Sequence, residues 1–400
     1  MFGLGLIRFV PAPLRPLFVR TVDGLRTRVI RWRLSHGAAR DREARVAHAS
    51  RETTQQEPMT ILGLFASPTG LGQGARLMWA EQKRQGRAVR AVDCTAALHL
   101  PGGPVPEGVL PVTALETLPP GPIVIHLNPP LYGLMYLRLP RRLRRSARLI
   151  AYWAWELDRV PASWAEAVLA ADEIWVPSDF VAGAVRARLE GAEEVPVRVV
   201  PHPVEALPFG PRKTAESMAA ARARHDLPAE AFIAACSFSM SSNYARKNPM
   251  AAVAAFRAAF PPGGPAACLV LRCNDREVWP AGHAELLQAA AQDPRILLID
   301  GDPRRIPIGD LYYAADVYLS LHRSEGYGLN LAEAASLGTA VLATGWGLAA
   351  DIAARPDVRT VSWRLVPVKD PQGAYDDPDA HWAEPDIAEA AAKLRALAEG

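Results

Sequence analysis

The chain has 400 residues, half of them hydrophobic and 22% charged, so it can bury sizeable cores and is excluded from the disordered class. At roughly 100–200 residues per domain, that length fits two or three domains. Its 36 prolines exclude a coiled coil or an uninterrupted helical bundle, and a formal charge of only +3 argues against a strongly basic nucleic-acid binder. The four cysteines, Cys94, Cys236, Cys268 and Cys273, form no CxxC pair and no zinc-type cluster with His, and their scarcity points to a reducing, cytoplasmic setting. No apolar run reaches the ~18 residues of a membrane-spanning helix. Pro11, Pro13, Arg15 and Pro16 interrupt any region resembling a signal peptide.

Residues 1–57 are a compositional block of their own, with eleven Arg against five acids, a net of +6, which leaves −3 for the remainder. Phe2, Leu4, Leu6, Ile7, Phe9, Val10, Leu17 and Phe18 supply apolar partners to these cations. Two readings follow: a segment lying on an anionic membrane surface at the inner face of the cell membrane, or a solvated, poorly ordered extension.

From residue 60 the pattern becomes α/β. Thr60–Phe65 reads as a strand, Ser67–Gly74 as a glycine loop and Ala75–Gln85 as a helix. Strand-like runs follow at Arg87–Val92, Ile123–His126, Leu149–Trp153, Glu173–Val176 and Val197–Val200, with helical stretches between several of them. A helix over Tyr136–Ser146 would carry Arg138, Arg141, Arg142, Arg144 and Arg145, as a membrane-facing or simply solvated surface. Residues 206–228, rich in Pro and Gly, read as a linker. A second series has strands at Ala231–Phe238, Ala267–Arg272, Ile296–Ile299, Val317–Leu321 and Ala340–Ala343. Helices at Pro249–Phe260, Gly282–Ala291, Ile308–Ala315 and Leu329–Leu337 alternate with them, and Asp386–Ala398 is a final amphipathic helix. Alternation of this kind predicts parallel sheets. The expected domains are the extension 1–57, a Rossmann-like domain 58–205, the linker 206–228, a second Rossmann-like domain 229–385 and the helix 386–400.

The segment Ser324-Glu325-Gly326-Tyr327-Gly328-Leu329-Asn330-Leu331-Ala332-Glu333-Ala334 follows one of these strands and opens a helix. Gly326 and Gly328 let backbone approach a ligand closely, and the helix start at Gly328-Leu329-Asn330 offers unpaired amides and a positive dipole end, a seat for phosphate. Glu325 and Glu333 flank that seat. Carboxylates there suit sugar hydroxyls rather than phosphate, and a nucleotide-sugar has this layout of ribose, diphosphate and hexose. An ordinary capped helix with a solvated Glu is the plain alternative.

The run Asp310–Gly347, with its E-x7-E spacing from Glu325 to Glu333, resembles the donor-binding signature of the retaining glycosyltransferases of family 4. The looser resemblance extends over about residues 60–395. It implies the GT-B fold, two Rossmann-like domains facing across a cleft. It also implies that Glu325 sits near the donor hexose and that Glu333 binds the ribose hydroxyls. Gly326 and Tyr327 would belong to the same donor-binding loop, and the amides of Gly328 and Leu329 would meet the diphosphate. The loop Ser239–Pro249 carries Arg246 and Lys247. Lys247 matches the family's phosphate-binding Lys. The family's Arg at the preceding strand end is not matched, since Ser237, Ser239 and Ser242 stand there, and Arg246 is displaced from that place. The glycine loop around Gly72 resembles the family's first strand-to-helix turn near the donor phosphates.

On the first half, His126 ends a strand, where a parallel sheet presents residues to a ligand, and the resemblance implies a His close to the transferred sugar. Trp153, Trp155 and Glu156 occupy another strand end and are candidates for the acceptor side: the rings stack on sugars or else pack the interdomain surface, and Glu156 orients a hydroxyl. Ser178 is read as a helix cap first and a site residue second. Asp300-Gly301-Asp302 is formally a metal-binding D-x-D of a different fold, and no metal is expected to use it.

The expected activity is transfer of a sugar from a UDP- or GDP-linked donor to an acceptor hydroxyl with retention at the anomeric carbon. The acceptor would be a carbohydrate or lipid-linked molecule of bacterial surface polysaccharide or glycolipid synthesis. No cofactor, metal or nucleic acid is expected. The alternatives are another enzyme of the same fold, a nucleotide-sugar 2-epimerase or a phosphorylase, and a non-catalytic sugar- or nucleotide-binding scaffold.

Overall fold

The structure, a computed structural model, describes residues 32–47, 58–119, 121–189, 194–204, 210–300, 305–375 and 377–400. Its contacts divide into two units. The first comprises the chain up to Ala154 with Val160–Val176 and Val185–Val200; the second comprises Trp155–Arg159, Pro177–Ala184 and Pro201–Gly400.

The first unit is built on a seven-stranded parallel sheet: β1 (Met59–Gly63), β2 (Val89–Asp93), β3 (Leu110–Pro111), β4 (Ile123–Ile125), β5 (Leu149–Tyr152), β6 (Glu173–Val176) and β7 (Val197–Val199) in the order 3-2-1-4-5-6-7. Short, continuous apolar runs such as Ile123–Ile125 are buried throughout, as expected for strands covered on both faces. The order reverses between β1 and β4, which places the strand-end loops at Gly63 and His126 beside each other.

Two stretches of this unit differ from the sequence reading. Gly70, Gly72 and Gly74 are not a loop: they open the helix α2 (Gly70–Arg84), capped by the Thr69 side chain. Glycine costs a helix interior about 1 kcal/mol, so the pattern resembled a turn. A Cβ at Gly72 would lie 2.3 Å from the Ser67 carbonyl oxygen, so this glycine serves close packing of helix on loop. The single helix expected over Tyr136–Ser146 is two, α3 (Leu131–Arg138) and α4 (Arg141–Ser146), broken at Leu139-Pro140 because proline excludes helical backbone before it.

Part of the basic extension, residues 32–47, forms a helix (α1) that docks on this unit. Leu34 and Ala38 are buried, and Arg45 donates from Nε to Asp172 at 2.7 Å and from Nη1 to the Arg144 carbonyl. Asp41 accepts from the Tyr136 hydroxyl. The apolar residues between Phe2 and Phe18 lie outside the described residues.

The second unit holds a six-stranded parallel sheet: β8 (Phe232–Ser239), β9 (Ala267–Asn274), β10 (Ile296–Asp300), β11 (Val317–Ser320), β12 (Ala340–Thr344) and β13 (Val358–Val361) in the order 10-9-8-11-12-13. Helices α9 (Pro249–Ala259), α10 (Pro280–Gln292), α11 (Ile308–Ala314), α12 (Leu329–Ser336) and α14 (Ile387–Ala398) intervene or close the chain. Residues Ala234, Cys236 and Phe238 face one core with Phe256 and Leu394, whereas Ile233 and Ala235 face the other with Leu311, as strand alternation requires. The segment expected as a linker contains a helix, α7 (Ala215–Arg224), started by a Thr214/Ser217 capping box. Buried Arg222 ties it to the Ala314 carbonyl and Asp316, so its described residues belong to the second unit.

The sequence reading also lacked an antiparallel hairpin, β14 (Trp363–Pro367) and β15 (His381–Pro385), which follows β13. Pro371, Pro378, four aspartates and Gly373 between its strands read as plain loop.

Candidate active site

In an open parallel sheet, ligands bind at the carboxyl ends of the strands where the strand order reverses. In the second unit that point lies between β8 and β11, which pair directly. The loops leaving these two strands are the two segments singled out by sequence, Ser239–Asn248 and Leu321–Gly328.

The β8 loop is shaped by two asparagines in left-handed backbone, Asn243 (φ 73°) and Asn248 (φ 51°), a conformation Asn tolerates better than most residues. Between them lies one helical turn, α8 (Tyr244–Lys247), capped by the Asn243 side chain on the Arg246 amide. Asn248 donates to the Leu321 carbonyl, and the Arg323 amide donates to the Arg246 carbonyl at 2.7 Å, which stitches the two loops together. The turn points its two cations into the site. Arg246 is buried and donates to the carbonyls of Ser324 and Ser242, each at 2.8 Å. Lys247 Nζ forms a close ion pair with Glu325 Oε1.

Glu325 is thus held by two cations, since Arg246 Nη1 also lies 3.4 Å from its Oε1. Burial alone would push this carboxyl up, but Lys247 and Arg246 outweigh it and hold it down at about 2. Arg246 Nη2 lies 3.9 Å from Glu156 Oε1, so the guanidinium sits between two carboxylates. Behind Glu325, His322 is fully buried, with Nδ1 3.0 Å from the Ser320 hydroxyl and Nε2 3.1 Å from the Trp346 carbonyl. Burial depresses its basicity to about 4.

The glycines of the motif have packing roles that the sequence did not show. A Cβ on Gly326 would lie 2.1 Å from the Trp155 carbonyl oxygen, so the loop lies against the Trp155–Arg159 segment of the same unit. Ser178 caps with its hydroxyl on the Val181 amide and also donates to the Gly326 carbonyl. Tyr327 is not exposed for stacking: its hydroxyl donates to the His202 carbonyl at 3.0 Å. Gly328 has φ 92° and starts α12, which no side chain caps. The first-turn amides of such a helix have no intrahelical acceptor and form an anion seat starting at Leu329.

Glu333, on the second turn of α12, is buried and accepts from the Tyr312 hydroxyl at 2.9 Å. Tyr312 packs edge-on against Tyr318, whose hydroxyl donates to the Ser237 carbonyl and accepts from Asn330. Arg272, on the neighbouring strand, donates to the Ser237 hydroxyl and to the Ile306 carbonyl. Tyr312, Tyr318 and Arg272 were not singled out by sequence, since each sits in a strand or helix that reads as core, and Asn330 was named only for its backbone amide at the helix start.

The hairpin contributes two further residues that sequence reasoning missed. Tyr375 donates to Glu156 Oε2 at 3.2 Å and packs edge-on against Trp155. Gln372 donates to the Met240 carbonyl and accepts from the Tyr244 amide, bracing the β8 loop. Arg323 fastens the hairpin base with two hydrogen bonds to Glu384. The second unit therefore gathers Arg246, Lys247, Glu325, Gly326, Gly328, Leu329, Glu333, Trp155 and Glu156 around one sheet edge.

The other candidates lie in the first unit or away from this edge. His126 follows β4, is fully buried and stacks parallel on Tyr152 at 4.2 Å. Trp153, expected on the acceptor side, is fully buried between the edges of Tyr132 and Trp164, so it is a core residue that no sugar can stack on. Asp300 is paired with His283 and Arg276, and Gly301 and Asp302 lie outside the described residues. Among the described residues no group of three His, Cys, Asp or Glu side chains is placed to hold a metal ion.

The chain matches no protein-family model and no curated protein sequence. It is similar to solved structures. A glycosyltransferase from Rickettsia africae is 12% identical with a TM-score of 0.59, the match covering 86% of this chain and 89% of that one. HepE from Anabaena, in complex with UDP and glucose, is 14% identical with a TM-score of 0.58, covering 86% and 90%. Sucrose-phosphate synthase from Thermosynechococcus elongatus is 17% identical with a TM-score of 0.50, covering 73% and 82%. At these identities the likeness shows the fold: two Rossmann-like parallel-sheet units, as in GT-B glycosyltransferases.

Proposed function

We propose that the chain is a glycosyltransferase that moves a sugar from a nucleoside-diphosphate donor to an acceptor hydroxyl with retention of anomeric configuration. The observation that carries this reading is the order of groups along one sheet edge. An uncapped helix N-terminus at Leu329 is flanked by two carboxylates, the half-buried Glu325 and the buried Glu333, with Lys247 on the first. This order matches diphosphate, hexose and ribose. The complex of HepE with UDP and glucose supports it by fold.

In the proposed reaction the bond from the anomeric carbon to the diphosphate oxygen breaks as the acceptor oxygen bonds to the same face. The leaving phosphate takes the acceptor's proton. Lys247 and the α12 dipole stabilise the charge that develops on the diphosphate. Glu325, kept anionic, accepts from hexose hydroxyls and favours positive character at the anomeric carbon. Arg246 holds the loop and Glu325 in place. No metal is required in this scheme. The acceptor is a carbohydrate or lipid-linked hydroxyl, and the basic N-terminal residues seat the protein on an anionic membrane surface.

The test is mass spectrometry of the protein with a nucleotide-sugar panel and envelope extract. Transfer should persist in chelator and fall by at least about 100-fold in Glu325→Ala, with circular dichroism unchanged. Wild-type turnover in that variant refutes the site. Donor conversion without acceptor would identify an epimerase, and absence of both turnover and UDP or GDP binding would identify a scaffold.

A further inference from the structure

The charged groups around Glu325 balance one another inside the chain. Four side chains carry full charge there: Glu325 and Glu156 are anionic, Arg246 and Lys247 cationic. Lys247 is paired with Glu325 and, in the proposed reaction, also serves the diphosphate. Arg246 is buried, shared by both carboxylates and bound to two backbone carbonyls. His322, the remaining titratable ring beside Glu325, is fully buried between Ser320 and the Trp346 carbonyl and stays neutral at pH 7.

The arrangement is also locked. Tyr375 fixes Glu156 through its hydroxyl, while Gln372 grips the β8 loop at Met240 and Tyr244. Leu157, Ala380 and Trp382 form a buried apolar base on which Trp155, Ala245 and Tyr375 pack. Neither cation is therefore free for a further anion on the sugar: Arg246 is held by two carboxylates and two carbonyls, and Lys247 already serves Glu325 and the diphosphate.

We infer that the sugar carried by the donor is neutral and rich in hydroxyls, and that acidic sugars such as uronates are rejected. This rests on the nucleotide-sugar reading above, which places the hexose against Glu325. A neutral sugar offers hydroxyl donors to carboxylates that have acceptor capacity left. A uronate would bring a third anion to a partly desolvated site whose cations are already paired, and its repulsion by Glu325 is screened little there. Selectivity then comes from an uncompensated charge rather than from shape.

The experiment is calorimetry on the full chain, without acceptor, using UDP, UDP-glucose, UDP-galactose and UDP-glucuronate, with GDP, GDP-mannose and GDP-mannuronate as the parallel series. In the series whose nucleotide binds, the neutral donors should bind at least about tenfold more tightly than the uronate. Glu325→Gln removes the opposing anion and should bring the two within about threefold, with binding of the bare nucleotide as the control for folding. Glu156→Gln should narrow the gap in the same direction and serves if the first variant does not fold. Equal or tighter uronate binding by the wild-type chain, or a preference unchanged in both variants, overturns the inference. Failure of both UDP and GDP to bind is a different result: it removes the nucleotide-sugar reading itself, and this inference with it.

Discussion

Lys247 and Glu325 meet as a close ion pair although 78 residues separate them in the chain. The pairing follows from the sheet order. β8 and β11 are neighbours, one lies just before Lys247 and the other just before Glu325, and both loops leave the same edge. Removing water around the pair leaves each ion dependent on the other, so the pair fixes both loops as well as their charge.

Acid should destabilise the protein in two stages. Burial lowers His322 from its ordinary 6.5 to about 4, and His202 likewise. An unfolded imidazole then binds a proton that the folded one refuses, so this stability is present above pH 6.5 and is lost between 6.5 and 4. Glu325 is depressed from 4.5 to about 2, so its contribution is present above pH 4.5 and is lost as pH falls towards 2. Denaturant unfolding at several pH values should show both declines. His322→Asn should flatten part of the first, and Lys247→Met part of the second; unchanged slopes in both would contradict the assignment.

Gly326 and Gly183 make a matched pair of substitutions. Gly326→Ala drives a methyl to 2.1 Å from the Trp155 carbonyl oxygen and should cost about 2 kcal/mol or more. Gly183 lies in the helix α6 (Asp179–Arg188) with nothing within 4 Å of the added carbon. Its change to Ala should stabilise by about 0.5–1 kcal/mol. Thermal melts that rank the two the other way would show that the loop is not packed as described.

Arg45 is the anchor of α1. Its guanidinium is buried on Asp172 and the Arg144 carbonyl, so Arg45→Ala leaves Asp172 without its cation. The loss should be about 3 kcal/mol in the unfolding of the first unit, with faster proteolysis within residues 32–47. An unchanged unfolding midpoint and cleavage rate would mean the helix is held by other contacts.

The membrane proposal has its own measurement. Because α1 is docked, removing residues 1–57 would disturb the first unit as well as any surface anchor. Removing residues 1–31 is the cleaner cut. It should reduce sedimentation with anionic vesicles at least about fivefold at low salt, because each basic residue near such a surface contributes about 1 kcal/mol, and leave nucleotide binding intact. Undiminished vesicle binding would return that segment to a solvated extension.

Much of the scaffold was legible because parallel strands buried on both faces read as unbroken apolar runs. Ile123–Ile125, Glu173–Val176 and Val317–Ser320 lie within a residue or so of their predicted bounds. The motif from Ser324 to Ala334 was legible for a different reason: its glycines, carboxylates and helix start lie within one short stretch, so local chemistry announces them. Trp153 was not legible, because a tryptophan at a strand end looks the same whether it faces solvent or, as here, is sealed between Tyr132 and Trp164. Neither were Tyr375 and Gln372, which sit in a segment whose prolines and glycine predict only turns, yet reach Glu156 and Met240 across 219 and 132 residues.

The sequence by itself determined the two parallel sheets, the helix that starts at Leu329 and the two carboxylates on either side of that start, because periodicity and turn chemistry are local properties. Only the tertiary structure decided which charges share a space. It set Lys247 on Glu325, put Arg246 between Glu325 and Glu156, and buried His322 behind them. Those relations depend on strand order and on desolvation, which arise when distant segments pack and have no signature along the chain.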